Sequence, residues 1–170
     1  MIQTEINLSF PFTLLNRIHA AFALIPQRKL NIVIHAIIPI IGLSTLAMVL
    51  YQGHPVSTEV VLIVFACFMF TPSFVVLGVA ITYYLNKAAR EPFTYKFDAG
   101  GVHISTATYE FTHKWSAISQ VKRFGGFLMF FFSPGQAHCI PIGVVQRSGE
   151  LEQLLQLAQE NDVEVAKSGT

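Results

Sequence analysis

A chain of 170 residues has room for one modest soluble domain and a short membrane segment, not for two globular domains. Charged residues are 12% of the chain and hydrophobic residues 52%, where an ordinary soluble domain carries about 25% charged residues. The net charge of +1 comes with no basic domain, which excludes a nucleic-acid binder.

The first stretch, "IQTEINLSF", alternates at Ile2, Ile6 and Leu8 and reads as a strand. "FTLLNRIHAAFAL", Phe12 to Leu24, reads as an amphipathic helix at a membrane surface, with Phe12, Leu15, Ile18, Ala21 and Phe22 toward lipid and Asn16 and Arg17 outward. Polar residues Glu5, Asn7, Asn16 and Arg17 interrupt these first residues, so no signal peptide is expected there.

Charge then vanishes. No Asp, Glu, Lys or Arg occurs between Leu30 and Ser57, and none between Val60 and Asn86; Glu59 alone interrupts. "LNIVIHAIIPIIGLSTLAMVLY", residues 30–51, reaches roughly 33 Å as a helix, enough to cross a hydrocarbon core of about 30 Å. The second run, residues 60–85, is longer, so it should tilt, kink or protrude. Neither run offers the polar face that a core helix of a small soluble protein needs. The connection "QGHPVSTE" holds no Lys or Arg, whereas Arg28 and Lys29 precede the first span and Lys87 and Arg90 follow the second. Positive flanks stay inside, so both termini of a multi-pass membrane protein are expected in the cytoplasm. Pro39, Pro72 and His35 lie within the spans; membrane helices tolerate proline, and no charged partner is present to build an ion or proton relay with His35.

Residues 87–170 read as a cytoplasmic domain after an N-terminal segment, 1–29, and a hairpin, 30–86. "FTYKF" alternates, "DAGG" turns, and "VHIST" resumes the alternation. Tyr109, Phe111, His113 and Trp115 share one parity and Ile118 follows on the next inward point. This makes Phe111, Trp115 and Ile118 candidate core residues, with the indole N–H of Trp115 needing one partner. Gly125-Gly126 is a hairpin turn, and "FLMFFF" suits a strand covered on both faces. Ser133-Pro134-Gly135 turns again before "HCIPIG", where Pro141 demands an edge or a strand end. From residue 148 the period becomes helical, with Leu151, Leu154, Leu155 and Ala158 on one stripe, Leu157 off it and Ser148 a candidate N-cap; the tail beyond Asn161 is expected to fray.

The predicted class is therefore an α+β membrane protein: a transmembrane hairpin plus a small antiparallel sheet with a C-terminal helix, in pleckstrin-homology-like outline. Residues 92–145 supply about five strands, fewer than such a barrel needs, and the N-terminal strand can complete it. The "TEINLS" strand, the apolar hairpin, "YKFDAGGVHIST", "WSAISQVKRF" and "HCIPIG" together resemble the YcxB-like family of bacterial membrane proteins over nearly the whole chain. The resemblance implies a pleckstrin-homology-like domain on a two-helix anchor and implies no particular activity. The chain departs from that pattern in lacking an acidic pair after "FDAGG" and in its apolar "FGGFLMFFF".

No phosphate loop, dinucleotide fingerprint or nucleophile elbow occurs, so neither catalytic residues nor a cofactor are expected. His103, His113, His138 and Cys139 lack the short spacing of a structural metal site, and Cys67 and Cys139 fall in different phases, which argues against a disulfide. Lys87, Arg90, Lys122 and Arg123 are the candidate contacts to anionic lipid. The expected role is a membrane-anchored interaction or regulatory module, not an enzyme. Its partners are the bilayer and either a second protein or another copy of itself; the alternative is a subunit of an oligomeric transporter or channel.

Overall fold

The structure is a computed structural model that describes residues 5–27 and 29–166. Ile2 and Arg28, which carried part of the strand and topology readings, lie outside the described residues.

Strand β1, Ile6–Pro11, buries Ile6, Leu8 and Phe10 and exposes the residues between them. It pairs antiparallel with β2, Pro92–Asp98, with Ile6 opposite Phe97, Leu8 opposite Tyr95 and Phe10 opposite Phe93. Two strands separated by the entire apolar hairpin are therefore neighbours in one sheet. β3, Gly101–Ser105, and β4, Glu110–His113, complete this sheet in the order β1-β2-β3-β4.

Between β1 and β2 run three helices. Thr13 caps α1, Leu14–Leu24, by accepting the Asn16 N–H on its Oγ1 at 3.2 Å. A 3-10 turn, Ile25–Gln27, leads into α2, Lys29–Tyr51, and α3, Thr58–Leu85, follows. Both are long and apolar enough to cross a membrane. Their outward faces carry Leu43, Met48, Phe65 and Phe74 in the open, an apolar belt that water would not support at this extent. Where the helices meet, Gly42 is buried, and a Cβ there would stand 2.9 Å from Cys67 Cβ. Ser44 and Thr45 satisfy their hydroxyls on the carbonyls of Ile40 and Ile41 one turn back.

The second sheet has the order β7-β6-β5-β8, from β5 (Gln120–Phe124), β6 (Phe127–Ser133), β7 (Gln136–Pro141) and β8 (Glu164–Ala166). Gly125 and Gly126, with φ of +57° and +80°, form the tight turn between β5 and β6. β6 is buried on both faces, as its unbroken apolar run predicts. Leu128 and Phe130 enter the core between the two sheets, where Phe130 meets Phe97 at 5.2 Å between ring centroids. Phe127, Met129 and Phe131 point the other way and are covered by Ala20 and Ala23 of α1.

Five readings of the sequence are corrected. Phe12 faces inward, within 6.1–6.3 Å of the rings of Phe10, Phe93 and Phe127, and Arg17 is half-buried instead of outward. Both follow from α1 lying across the sheet, which gives its small residues an apolar surface to cover. Ser148 does not cap the last helix. It ends a separate helix α4, Ile142–Ser148, donates to the Val145 carbonyl at 2.8 Å, and is followed by Gly149 in the left-handed conformation. Helix α5, Leu151–Glu160, then buries Leu154, Leu155, Leu157 and Ala158, so Leu157 too lies on its inner face. The segment after Asn161 does not fray as far as Ala166, because β8 pairs parallel with β5, Val165 opposite Val121.

Candidate functional site

Beneath α1, between the last turns of α3 and strands β2 and β7, lies a cavity of about 400 Å³. That size falls within the ordinary range of small-molecule sites. Gly78, Val79 and Thr82 bring the last turns of α3 to its wall; Arg17, Ala20, Ala21 and Leu24 bring one face of α1. Their spacing of three, four and seven residues puts those α1 side chains on a single stripe. Phe93 and Tyr95 of β2 and Ala137, His138 and Cys139 of β7 close the remainder.

Arg17 is the only Asp, Glu, Lys or Arg between Glu5 and Arg28. Its guanidinium stands 5.2 Å from the Phe12 ring centroid, 5.6 Å from Phe93 and 6.0 Å from Tyr83, a cluster of ring faces attractive to a cation. One terminal nitrogen donates to the Ala89 carbonyl, while Nε is buried without an acceptor. Among the described residues no carboxylate lies within ion-pair distance of it. Burial lowers its pKa from the ordinary arginine value.

His138 stands on the opposite side of the cavity wall. Its ring is packed within 5.0 Å of His113, 4.9 Å of Phe132 and 5.5 Å of Phe111, and its Nε2 is buried without a partner. Burial, and secondarily the neighbouring His113, push its pKa down to about 4. The imidazole is therefore neutral at neutral pH. Cys139 points to the other face of β7, where burial pushes its thiol up to about 12 and keeps it protonated, a poor nucleophile. These groups are suited to holding a ligand more than to transferring a proton or an acyl group. Among the described residues no group of three His, Cys, Asp or Glu is placed to hold a metal ion.

The state of His138 has a measurable consequence. Above pH ~7 folded and unfolded chains both hold it neutral; as the pH falls through 6.5 the unfolded chain takes up the proton and the folded chain does not until about 4. Stability should therefore drop across that window by up to about 3 kcal/mol. Urea midpoints followed from pH 7 to pH 4 should fall in the wild type and fall distinctly less in His138→Phe; parallel curves would contradict the assignment.

The residues singled out from the sequence are dispersed. Lys87 and Arg90 occupy an exposed 3-10 turn, Lys87–Arg90, directly after α3. Lys122 donates to Gln27 Oε1 at 3.1 Å, beside the start of α2, and its ammonium lies 5.3 Å from the Phe124 ring. Arg123 turns the other way, to Glu152 of α5 at 3.3 Å. Trp115 is 4% exposed in a 3-10 turn, Trp115–Ala117, and Ile118 is equally buried, while Phe111 packs half-buried at the margin of the same core. Arg17 and His138 were missed as a pair. The available signal is Arg17 itself, the one Asp, Glu, Lys or Arg of α1, on the stripe with Ala20, Ala21 and Leu24.

The arrangement defines an α+β protein in which a two-sheet domain is built around the base of a long apolar helical hairpin. Residues 97–158, from the end of β2 into α5, match the family model described as YcxB-like protein, and the resemblance read from the sequence holds over that stretch. The match is narrower than the sequence reading expected: β1, α1 and both long helices lie outside it. No curated protein and no solved structure matches the chain.

Proposed function

We propose that this chain is a membrane-anchored interaction or regulatory module whose sheet domain works at the cytoplasmic face of the bacterial inner membrane, binding a partner protein and not catalysing a reaction. One observation carries the reading. β1 and β2 flank the hairpin in sequence and pair in one sheet, so both ends of the hairpin return to the same side of any membrane it crosses. Lys29, Lys87, Arg90 and Lys122 gather on that side, while the connection at residues 52–57 has no Lys or Arg, a bias that favours the cytoplasm. Lys87, Arg90 and Lys122 then serve as contacts to anionic headgroups, and Arg123, already paired with Glu152, contributes less.

An engineered cysteine at Gly53, in a Cys67→Ser and Cys139→Ser background, should react with an impermeant maleimide in intact cells. One at Ser9 should react only after lysis. Labelling of Ser9→Cys from outside would refute the orientation. Crosslinking in native membranes should give a discrete heterologous product; a product of this chain alone would refute the partner-binding role.

A further inference from the structure

We propose that the cavity under α1 is a lipid site: it takes an anionic phospholipid of the adjoining leaflet, with the headgroup phosphate on Arg17 and part of an acyl chain against α1 and α3. The proposal rests on reading the hairpin as a membrane anchor, and goes beyond it by naming a ligand and a site.

The charge argument comes first. Arg17 brings a cation into a cavity whose other walls are aromatic, aliphatic or neutral at physiological pH. Its Nε has no acceptor, one of its nitrogens is held by a single carbonyl, and no carboxylate among the described residues balances it. A half-buried cation with an unused donor lacks an anion, and the planar guanidinium fork matches phosphate geometry. The rings of Phe12, Phe93 and Tyr83 hold the guanidinium in place without neutralising it.

Shape and depth select a lipid over a free anion. Ala20, Leu24, Val79 and Ala137 give the rest of the cavity an apolar lining, of no use to phosphate alone. Gly78 has open space where its side chain would stand, with no heavy atom within 4 Å of an added Cβ. The helix α3 has 28 residues against 23 in α2. At 1.5 Å per residue it is about 42 Å long, roughly 12 Å more than the hydrocarbon core needs. Glu59 keeps the first turn of α3 at the connection, so a core of about 30 Å counted from Val60 runs about 20 residues, to Val79, and most of the surplus lies at the sheet end. That puts the last turn and a half of α3, and Arg17 beside it, at headgroup depth, with Gly78 at the edge of the hydrocarbon. A leaflet lipid can therefore reach the cavity from the side without leaving the bilayer.

The test uses the full chain in non-ionic detergent, with native mass spectrometry after addition of phosphatidylglycerol and phosphatidylcholine in equal amounts. The wild type should retain phosphatidylglycerol in preference by about tenfold or more, the value of one charge-assisted contact. Arg17→Gln should abolish the preference. Gly78→Leu, which leaves Arg17 in place and fills the open space, should lower retention of the lipid itself. Arg147→Gln, which removes an exposed cation of α4 away from the cavity, should stay within about twofold of wild type. Retention unchanged in both Arg17→Gln and Gly78→Leu would overturn the site. Displacement of the lipid by an equal amount of inorganic phosphate would overturn the lipid as its occupant. Fractionation of the wild-type cells before detergent is added separates the two readings: a chain found outside the membrane fraction refutes the anchor, whereas a membrane-bound chain with no lipid preference refutes this inference alone.

Discussion

Trp115→Ala should unfold the sheet domain while the chain remains in the membrane fraction. Trp115 is 4% exposed and stacks on Phe97 at 6.4 Å between ring centroids. Its Nε1 donates to the Asp98 carbonyl at 2.8 Å. That carbonyl ends β2, at a turn already pressed against the end of β4: a Cβ on Gly101 would come within 2.2 Å of the His113 carbonyl oxygen. The indole therefore fills the core and also fastens the first hairpin of the sheet to the segment that leads into the second sheet. Truncation to alanine removes both, at a typical cost of about 3–5 kcal/mol. That is a large share of the stability of any small domain. The measurement is maleimide labelling of the buried Cys139 in a Cys67→Ser background as urea is raised. For a urea dependence of about 1–3 kcal/mol/M the midpoint should fall by about 2 M. Trp115→Phe separates the two roles. It keeps most of the packing and strands the Asp98 carbonyl, so it should cost only about 1–3 kcal/mol. Equal loss in the two variants would show that the hydrogen bond, not the ring, holds the turn.

The sequence makes some of this architecture legible and conceals the rest for definite reasons. The two long helices are readable because their signal is one-dimensional: enough apolar residues in a row, with every backbone group satisfied within the helix. The burial of Trp115 is readable from its parity with Phe111 and from Ile118 beyond it, although the backbone at Trp115 is a 3-10 turn and not a strand. The double covering of β6 is readable from "FLMFFF", but not what covers it. An amphipathic stripe on residues 12–24 states that an apolar surface will meet the helix. It does not say whether that surface is lipid or the far face of β6, and here the alanines of α1 meet the sheet while Leu15 stays exposed. Arg17 depends on Ala89 and Phe93, more than seventy positions along the chain, so no local pattern could reveal its inward course. Helix α4 has 7 residues, two of them β-branched valines and one a glycine, and forms through its place against the sheet more than through its own propensity. β8 is 3 residues long and becomes a strand only because β5 offers it an edge.

Ile6→Asp tests the feature on which the topology depends, the seating of an N-terminal strand in a sheet otherwise made after the hairpin. Ile6 is fully buried, opposite Phe97 in the register. An aspartate there faces the core between the sheets. It cannot reach Lys96, which lies opposite Asn7 on the outer face and is already paired with Glu5 at 3.1 Å. Burial without a partner raises a carboxyl pKa by up to about 3–5 units, which is about 4–7 kcal/mol of stability at pH values above the raised pKa. The direction with pH follows from that shift. Below pH ~4 the carboxyl is protonated in both folded and unfolded chains, and only the lost apolar burial is felt. As the pH rises the unfolded chain ionises and the folded chain does not, so stability falls until the raised pKa is passed. The opposite face supplies the comparison: Asn7→Asp sits across from Lys96 and should change stability by no more than about 0.5 kcal/mol. With each rate divided by that of the urea-unfolded chain at the same pH, labelling of Cys139 should exceed wild type by a large factor in Ile6→Asp at pH 7, by a smaller factor at pH 4, and stay close to wild type in Asn7→Asp at neutral pH. Protection of Cys139 in Ile6→Asp at neutral pH would mean that the sheet domain holds together without β1. The pairing of β1 with β2 would then no longer tie the two ends of the hairpin to one side of any membrane it crosses.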